Sequence, residues 1–293
     1  MELVKMEISG KTKLCGLIGD PVEHSLSPQM HNAAFKHLKL NFVYLAFRVE
    51  KDALEDAVRG IRGLQIHGLN VTMPYKTVII KYLDEIDNTA MAVESVNTVL
   101  NIDGKLKGFN TDGMGALKAL ENNGVELNGK KVLLLGAGGA AKSIAFQMIQ
   151  EAEEIKILNR NGEKAKELAY FLQNKFGRKS LGAALLPGLL KEWLKEADIL
   201  INATSVGMHP NIDQTLVKRE WLRPELTVMD IVYNPIETRL LREAKAAGAK
   251  VIYGTEMLVY QGAASFEIWF GRPAPVDIMK KAVLRSLKWR IFN

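Results

Sequence analysis

The stretch KKVLLLGAGGAAKSIAFQMI, Lys130–Ile149, decides the fold. An apolar run ends in glycines, and the residues beyond the glycines begin a helix, so strand, tight turn and helix follow one another directly. Gly136-Ala137-Gly138-Gly139-Ala140-Ala141 fits the pattern G-x-G-x-x-G/A. Gly136 supplies the tight turn, Gly138 lets bare backbone approach a pyrophosphate, and Ala141 is small enough for the helix to sit close to the strand. A glycine-rich turn alone carries little weight. Here it opens a helix whose first N–H groups and dipole can hold phosphate, which makes it a dinucleotide fingerprint.

Downstream the pattern repeats. Glu154–Arg160 reads as a strand, Glu163–Phe176 as a helix, Ala197–Gly207 and Leu226–Pro235 as strands, Thr238–Ala247 as a helix and Lys250–Gly254 as a last strand. With a helix over Gly113–Gly124 and the turn Asn128-Gly129 ahead of it, this is a doubly wound α/β pattern. The end of its second strand bears on the cofactor. A carboxylate usually stands there, about 20 residues after the glycines, to bond the ribose hydroxyl of NAD. This chain has Asn159-Arg160-Asn161, with Lys164 shortly after. A carboxylate would repel a 2′-phosphate and two cations would pair with one, so the expected cofactor is NADP(H).

The first third is a separate α/β alternation: strand Lys13–Gly19, helix Pro28–Leu40, strand Phe42–Val49, helix Asp52–Arg62 and strand Ile66–Met73, with parallel pairing expected. After Gly254 come only helices, Glu256–Gly271 and Val276–Leu287. With no strand left to offer the sheet, they are expected to pack back on the first unit. The expected layout is α/β throughout: residues 1–112 with 255–293 as one domain, and 113–254 as a Rossmann-like dinucleotide domain.

Composition narrows the class. The 293 residues are 47% hydrophobic and 25% charged, which excludes a disordered chain. No run of about 18 uncharged apolar residues occurs, so no membrane span is expected. Met1–Lys13 mixes charges of both signs without the apolar core of a secretory leader. The lone Cys15 excludes a disulfide framework and fits a reducing cytoplasm. The net charge of +6 is spread among acidic residues, densest in KKAVLRSLKWR, Lys280–Arg290, where Val283, Leu284 and Leu287 fit a helix with one solvated basic face. That distribution points to anionic small molecules and not to nucleic acid.

Three clusters carry polar chemistry. Ser25-Leu26-Ser27-Pro28 precedes a helix: Ser27 is suited to the N-cap and Pro28 to the first helical position, and the second hydroxyl two residues earlier makes a small anion cradle possible. Asn70-Val71-Thr72-Met73-Pro74-Tyr75-Lys76 ends an apolar strand where ligands gather in α/β sheets. Asn97-Thr98 and Asn110-Thr111-Asp112-Gly113 each follow a strand-like run. Lys76 and Asp112, if brought together, could share proton transfer at a hydroxyl. Gln261 places an amide within the apolar stretch MLVYQGAASFEIW, where it needs a polar partner. His24, His31 and His67 have neither metal-ligand spacing nor a nucleophile partner and are read as structural.

Taken together, HSLSP with HNAAF (His24–Phe35), NVTMPYK, VNT, NTDGMG, GAGGAA, NR, INATSVGM, YNP and the segment from Gly254 through MLVYQGA to Phe266 resemble the shikimate dehydrogenase family nearly end to end, in family order. The resemblance implies an N-terminal substrate domain completed by the C-terminal helices, a Rossmann NADP domain, and reversible NADPH-dependent reduction of 3-dehydroshikimate to shikimate on the way to chorismate. It implies that Ser25 and Ser27 bind the shikimate carboxylate and that Thr72, Asn97, Asp112 and Gln261 bind ring hydroxyls. Lys76 is implied as the acid/base, with Asp112 as its partner and Tyr233 approaching substrate from the Rossmann side. Gly136, Ala137, Gly138, Gly139, Ala140, Ala141, Asn159, Arg160, Asn161 and Lys164 are implied on the adenine-side phosphates, with Thr204, Ile231, Gly254 and Met257 nearer the nicotinamide.

Asn161 stands where the family commonly has Thr, and Tyr75 where it often has His or Phe. No metal is implied, and the expected assembly is a monomer or homodimer. The alternatives are an enzyme accepting quinate, which altered serines would favour, and a ligand sensor of the same fold, which should lack Lys76 or Asp112.

Overall fold

The computed structural model describes residues 8–291, with side chains as far as Leu287. The first seven residues of the charged N-terminal stretch, and the side chains of Lys288 and Arg290 in the basic C-terminal stretch, lie outside the described residues. The chain divides into two compact units, one formed by residues up to Thr111 together with those from Gly262 onward, the other by Asp112–Gln261.

The first unit begins with β1 (Lys13–Gly19), α1 (Ser27–His37), β2 (Phe42–Arg48), α2 (Leu54–Gly63) and β3 (Gly68–Val71), and continues with β4 (Glu85–Ile86), α3 (Asn88–Val93), β5 (Thr98–Ile102) and β6 (Lys105–Phe109). Its sheet runs β2-β1-β3-β5-β6-β4. The strands β1, β2 and β3 are parallel, as the alternating pattern predicts, but β5 is antiparallel to both β3 and β6. The sheet is therefore mixed. The antiparallel pair is a hairpin turned by Asp103 and Gly104, both at positive φ, a signal that sequence periodicity does not register. In α2, Leu54, Val58 and Ile61 recur at helical spacing and pack with Ile18, Leu69, Val71 and Val99 of the sheet.

The second unit starts with α4 (Asp112–Glu121), β7 (Lys131–Leu135), α5 (Gly139–Met148), β8 (Glu154–Asn159) and α6 (Gly162–Phe176). It goes on through β9 (Lys179–Ala184), α7 (Pro187–Glu196), β10 (Ile199–Asn202), β11 (Thr227–Asp230), α8 (Arg239–Ala246) and β12 (Lys250–Ile252). All six strands are parallel in the order β12-β11-β10-β7-β8-β9, the dinucleotide-binding order with its reversal between β7 and β10. Of these elements, β9 and α7 are additional to the pattern predicted above. The strand, KSLGAA, is an edge strand with one well-buried residue and no β-branched side chain, so its alternation is faint.

The last helices are α9 (Gly254–Phe270) and α10 (Val276–Ile291). The division between units falls within α9, between Gln261 and Gly262, and not at its start. From Gly262 on, α9 belongs to the first unit, where Trp269 covers Gly68 so closely that a Cβ there would lie 2.6 Å from the indole. The Trp269 Nε1–H donates to the Val99 carbonyl (3.0 Å), and α10 packs along α1.

Candidate active site

In the first unit the topology gathers the predicted polar residues at one sheet edge. The segments after β1, β3 and β6 leave at the same edge, because these three strands point the same way; β5, reversed, begins there. Ser25 and Ser27 follow β1, Thr72 and Lys76 follow β3, Asn97 immediately precedes β5, and Thr111, the chain neighbour of Asp112, follows β6. Backbone hydrogen bonds fix these segments: Thr72 N donates to Ile18 O (2.9 Å), Val96 N to Lys76 O (2.7 Å) and Val71 N to Asn97 O (2.9 Å). The buried Asn97 amide donates to Thr111 Oγ1 (2.9 Å), and its Oδ1 accepts from Thr111 N (2.9 Å).

The helix start differs from the reading that made Ser27 the N-cap. Leu26 already has helical dihedrals and makes no side-chain cap, while Ser25 Oγ accepts from Ser27 N (3.2 Å). Ser25 thus does the work of the cap, and Ser27 is buried. Burial drives the pKa of the Tyr44 phenol upward, with Ser27 acting weakly the other way. Tyr44 donates to Asn70 Oδ1 (2.8 Å), and the Asn70 amide donates to Asn97 O (3.1 Å) and Ser265 Oγ (3.0 Å). Ser265 in turn lies 2.7 Å from Thr98 Oγ1. A continuous buried network therefore runs from Tyr44 through Asn70, Ser265 and Thr98 to Asn97 and Thr111, rigid because each member is satisfied by others. Tyr44 and Ser265 were missed in the sequence because a phenol in FVYLAFR and a hydroxyl in an apolar helix look like ordinary packing residues. Burial next to a polar motif was the only signal available.

His31 stacks on Tyr44 with ring centroids 4.6 Å apart. Fully enclosed, its imidazole is kept neutral by burial, with its pKa pulled down to about 3. Tyr75, also buried, donates to Val49 O (2.5 Å), a packing role.

In the second unit Gly136 sits at φ +114, and a Cβ there would lie 2.8 Å from Ala203 O. Its N–H donates to Leu158 O (2.8 Å), so β7 ends in a turn pinned between β8 and the segment after β10. Gly138 is the extended N-cap of α5, where a Cβ would meet no heavy atom within 4 Å. The amides beginning α5 at Gly139 and Ala140 are thus approachable, and buried Ala141 seats the helix on the sheet. These residues fit a dinucleotide pyrophosphate.

At the end of β8 no carboxylate stands. Asn159 Nδ2 donates to Asn161 O (2.9 Å), and Asn161 Oδ1 caps α6 by accepting from Glu163 N (3.0 Å) and Lys164 N (3.4 Å). The cap explains an Asn at 161, a use of the side chain independent of any phosphate. Arg160 and Lys164 project at the exposed start of α6, a fit for a 2′-phosphate.

After β10, Thr204 Oγ1 donates to Asn202 Oδ1 (2.7 Å). Ile231 and Tyr233, both half-buried, follow β11. Gly254 opens α9 so close to Val232 O that a Cβ would lie 2.3 Å away, and Met257 is buried in its first turn. Half-buried Gln261 donates to Leu258 O (2.8 Å), with its backbone against Gly115.

A doubly wound sheet with a glycine turn at its reversal, in a chain that also has a second α/β unit with a polar strand edge, defines a two-domain dinucleotide-dependent dehydrogenase. Family models agree in register: the shikimate dehydrogenase substrate binding domain matches residues 17–99, the shikimate/quinate 5-dehydrogenase model 118–240 and the shikimate 5′-dehydrogenase C-terminal domain 254–284. The chain is 49% identical over 288 residues to the NADP+ shikimate dehydrogenase of Methanopyrus kandleri, covering 97% of this chain and 99% of that one. A crystal structure of a shikimate dehydrogenase in complex with NADP+ superposes with TM-score 0.90 at 46% identity, over 96% of this chain and 98% of that one. One from Listeria monocytogenes, in complex with shikimate and NAD, gives 0.89 at 43%, over 95% and 98%. The chain belongs to the shikimate dehydrogenase family.

Proposed function

We infer that this chain is an NADP-dependent shikimate dehydrogenase, catalysing the reversible reduction of 3-dehydroshikimate to shikimate in the route to chorismate and the aromatic amino acids. The observation that carries the reading is the conjunction of the phosphate turn at Gly136–Ala141 with a β8 end that offers Arg160 and Lys164 in place of a carboxylate. The first unit is assigned to substrate and the second to NADP.

Each residue then has a role. Ser25 and Ser27, at the start of α1, hold the carboxylate of the substrate, where the helix dipole favours negative charge. Thr72, Asn97, Asp112 and Gln261 bond the ring hydroxyls. Lys76 takes the proton of the hydroxyl being oxidised and returns it in the reduction, and Asp112 orients its ammonium. Tyr233 borders the substrate, and Thr204, Ile231, Gly254 and Met257 border the nicotinamide. NADP, when bound, supplies or accepts the hydride.

The location is assigned to the cytoplasm, supported by the single cysteine, Cys15, a usage that fits a reducing compartment. The assembly is a monomer or a homodimer, which light scattering of the purified protein decides. The reading itself is tested by initial rates with shikimate or quinate against NADP+ or NAD+. Shikimate with NADP+ is expected to give the highest kcat/KM; a higher value on quinate overturns the substrate, and one on NAD+ overturns the cofactor.

A further inference from the structure

We propose that Asp230 is a positioning residue for the nicotinamide side of the cofactor site, acting through Asn202 and Thr238 to hold the segments after β10 and β11 in one geometry. Asp230, the last residue of β11, is wholly buried. One carboxylate oxygen accepts from Asn202 Nδ2 (2.9 Å) and from Val232 N (3.0 Å); the other accepts from Thr238 Oγ1 (2.7 Å). Asn202 carries the link onward. Its Oδ1 accepts from Thr204 Oγ1 (2.7 Å) and Thr204 N (3.2 Å), and its Nδ2 also reaches Val206 O (3.3 Å). Thr238 caps α8 by accepting from Leu241 N (3.4 Å).

The three side chains thus tie together two loops at the carboxyl ends of adjacent parallel strands, where dinucleotide folds take their ligand. A second tie lies farther out, from His209 N to Asn234 O (3.1 Å). A carboxylate is a costly choice for this place. Every partner named is a neutral donor, and burial pushes the Asp230 pKa up to about 6. Capping α8 alone would need no acid. What needs two acceptor oxygens on one flat group is the joint demand of Asn202, Val232 and Thr238.

The inference rests on the nicotinamide-side placement of Thr204 and Ile231 proposed above. The test compares Asp230→Asn, Asp230→Ala and Asn202→Ala with the unaltered chain, reading the Kd of NADP+ by calorimetry and KM for NADP+ and shikimate. Asn keeps one acceptor oxygen for Asn202 and Val232, and its amide can donate to Thr238 if that hydroxyl turns. The expected result is a tenfold or greater rise in Kd and KM for NADP+ in both Ala variants, a KM for shikimate within twofold of the unaltered chain, and recovery to within threefold in Asp230→Asn. An unchanged NADP+ Kd in either folded Ala variant overturns the proposal, as does a shikimate KM that rises in step, or an Asn variant as damaged as the Ala one. If Asp230→Ala does not fold, Asn202→Ala decides; if neither folds, the group serves domain stability and the proposal fails. An unaltered chain that binds no NADP+ would instead refute the function on which this inference rests.

Discussion

Gly136→Ala concentrates the cofactor argument in one methyl group. At φ +114 the residue occupies backbone space that side chains of L residues rarely adopt, a strain of about 1–3 kcal/mol for a non-glycine residue. The added Cβ would also stand 2.8 Å from Ala203 O and 3.1 Å from Ala203 C, contacts with backbone and not with the end of a flexible side chain. Neither side can yield freely, since Gly136 N is bonded to Leu158 O and Ala203 N to Leu135 O, each at 2.8 Å. Strain and contact together should cost about 2–4 kcal/mol, shared between a less stable Rossmann unit and a displaced phosphate turn. If about 2 kcal/mol of this falls on binding, the Kd of NADP+ rises roughly 30-fold. Calorimetric titration with NADP+ and a urea unfolding curve measure the two shares, and titration with shikimate serves as control. An NADP+ affinity within threefold of the unaltered chain, with an unshifted urea midpoint, refutes the claim that this turn carries the pyrophosphate.

Other consequences can be measured independently. Lys76→Ala should lower kcat by about 10² or more while leaving the KM for shikimate nearly unchanged, as loss of a general acid/base requires; near-normal turnover removes Lys76 from proton transfer. Arg160→Ala should raise the KM for NADP+ about tenfold and leave that for NAD+ unaltered, so an equal rise for both would place Arg160 away from the 2′-phosphate. His31 binds fewer protons folded than unfolded between its ordinary 6.5 and about 3, so stability is complete above pH 6.5 and falls as pH drops through that window, by roughly 5 kcal/mol in all. His31→Phe keeps the ring against Tyr44 and should remove that part of the acid sensitivity; chemical unfolding curves of the two proteins at neutral pH and near pH 4 that differ by the same amount would contradict it.

The parts of the fold that sequence revealed are those with strong local chemistry. Gly136–Ala141 could be read because a positive-φ turn, an approachable amide row and a close helix each restrict residue choice, and their order is fixed by the chain. Ser25 stood out as a second hydroxyl beside a helix start, and Thr72, Lys76 and Asp112 as polar residues after strand-like runs; Asn97 reads the same way in the sequence but instead follows α3 and precedes β5. The reversal of β5 did not stand out, because side chains alternate alike in parallel and antiparallel strands; yet that reversal brings Asn97 to the edge where Thr72 and Lys76 leave β3. Tyr44, Asn202 and Asp230 were illegible as functional supports for a related reason. Each sits inside or at the end of an apolar strand and is tied by at least one bond to a partner 26 or more residues away in sequence, as in the Tyr44–Asn70 and Asn202–Asp230 bonds.

Oxidation of shikimate by NADP+ on this one chain is the central claim. It is tested most directly by incubating the purified protein with shikimate and NADP+ and following NADPH absorbance while the ketone product is identified by chromatography. The account predicts NADPH and 3-dehydroshikimate in equal amounts, with Lys76→Ala slower by about 10² under the same conditions. Reduction of NADP+ without 3-dehydroshikimate, or no turnover with shikimate by a folded protein that binds NADP+, would contradict it.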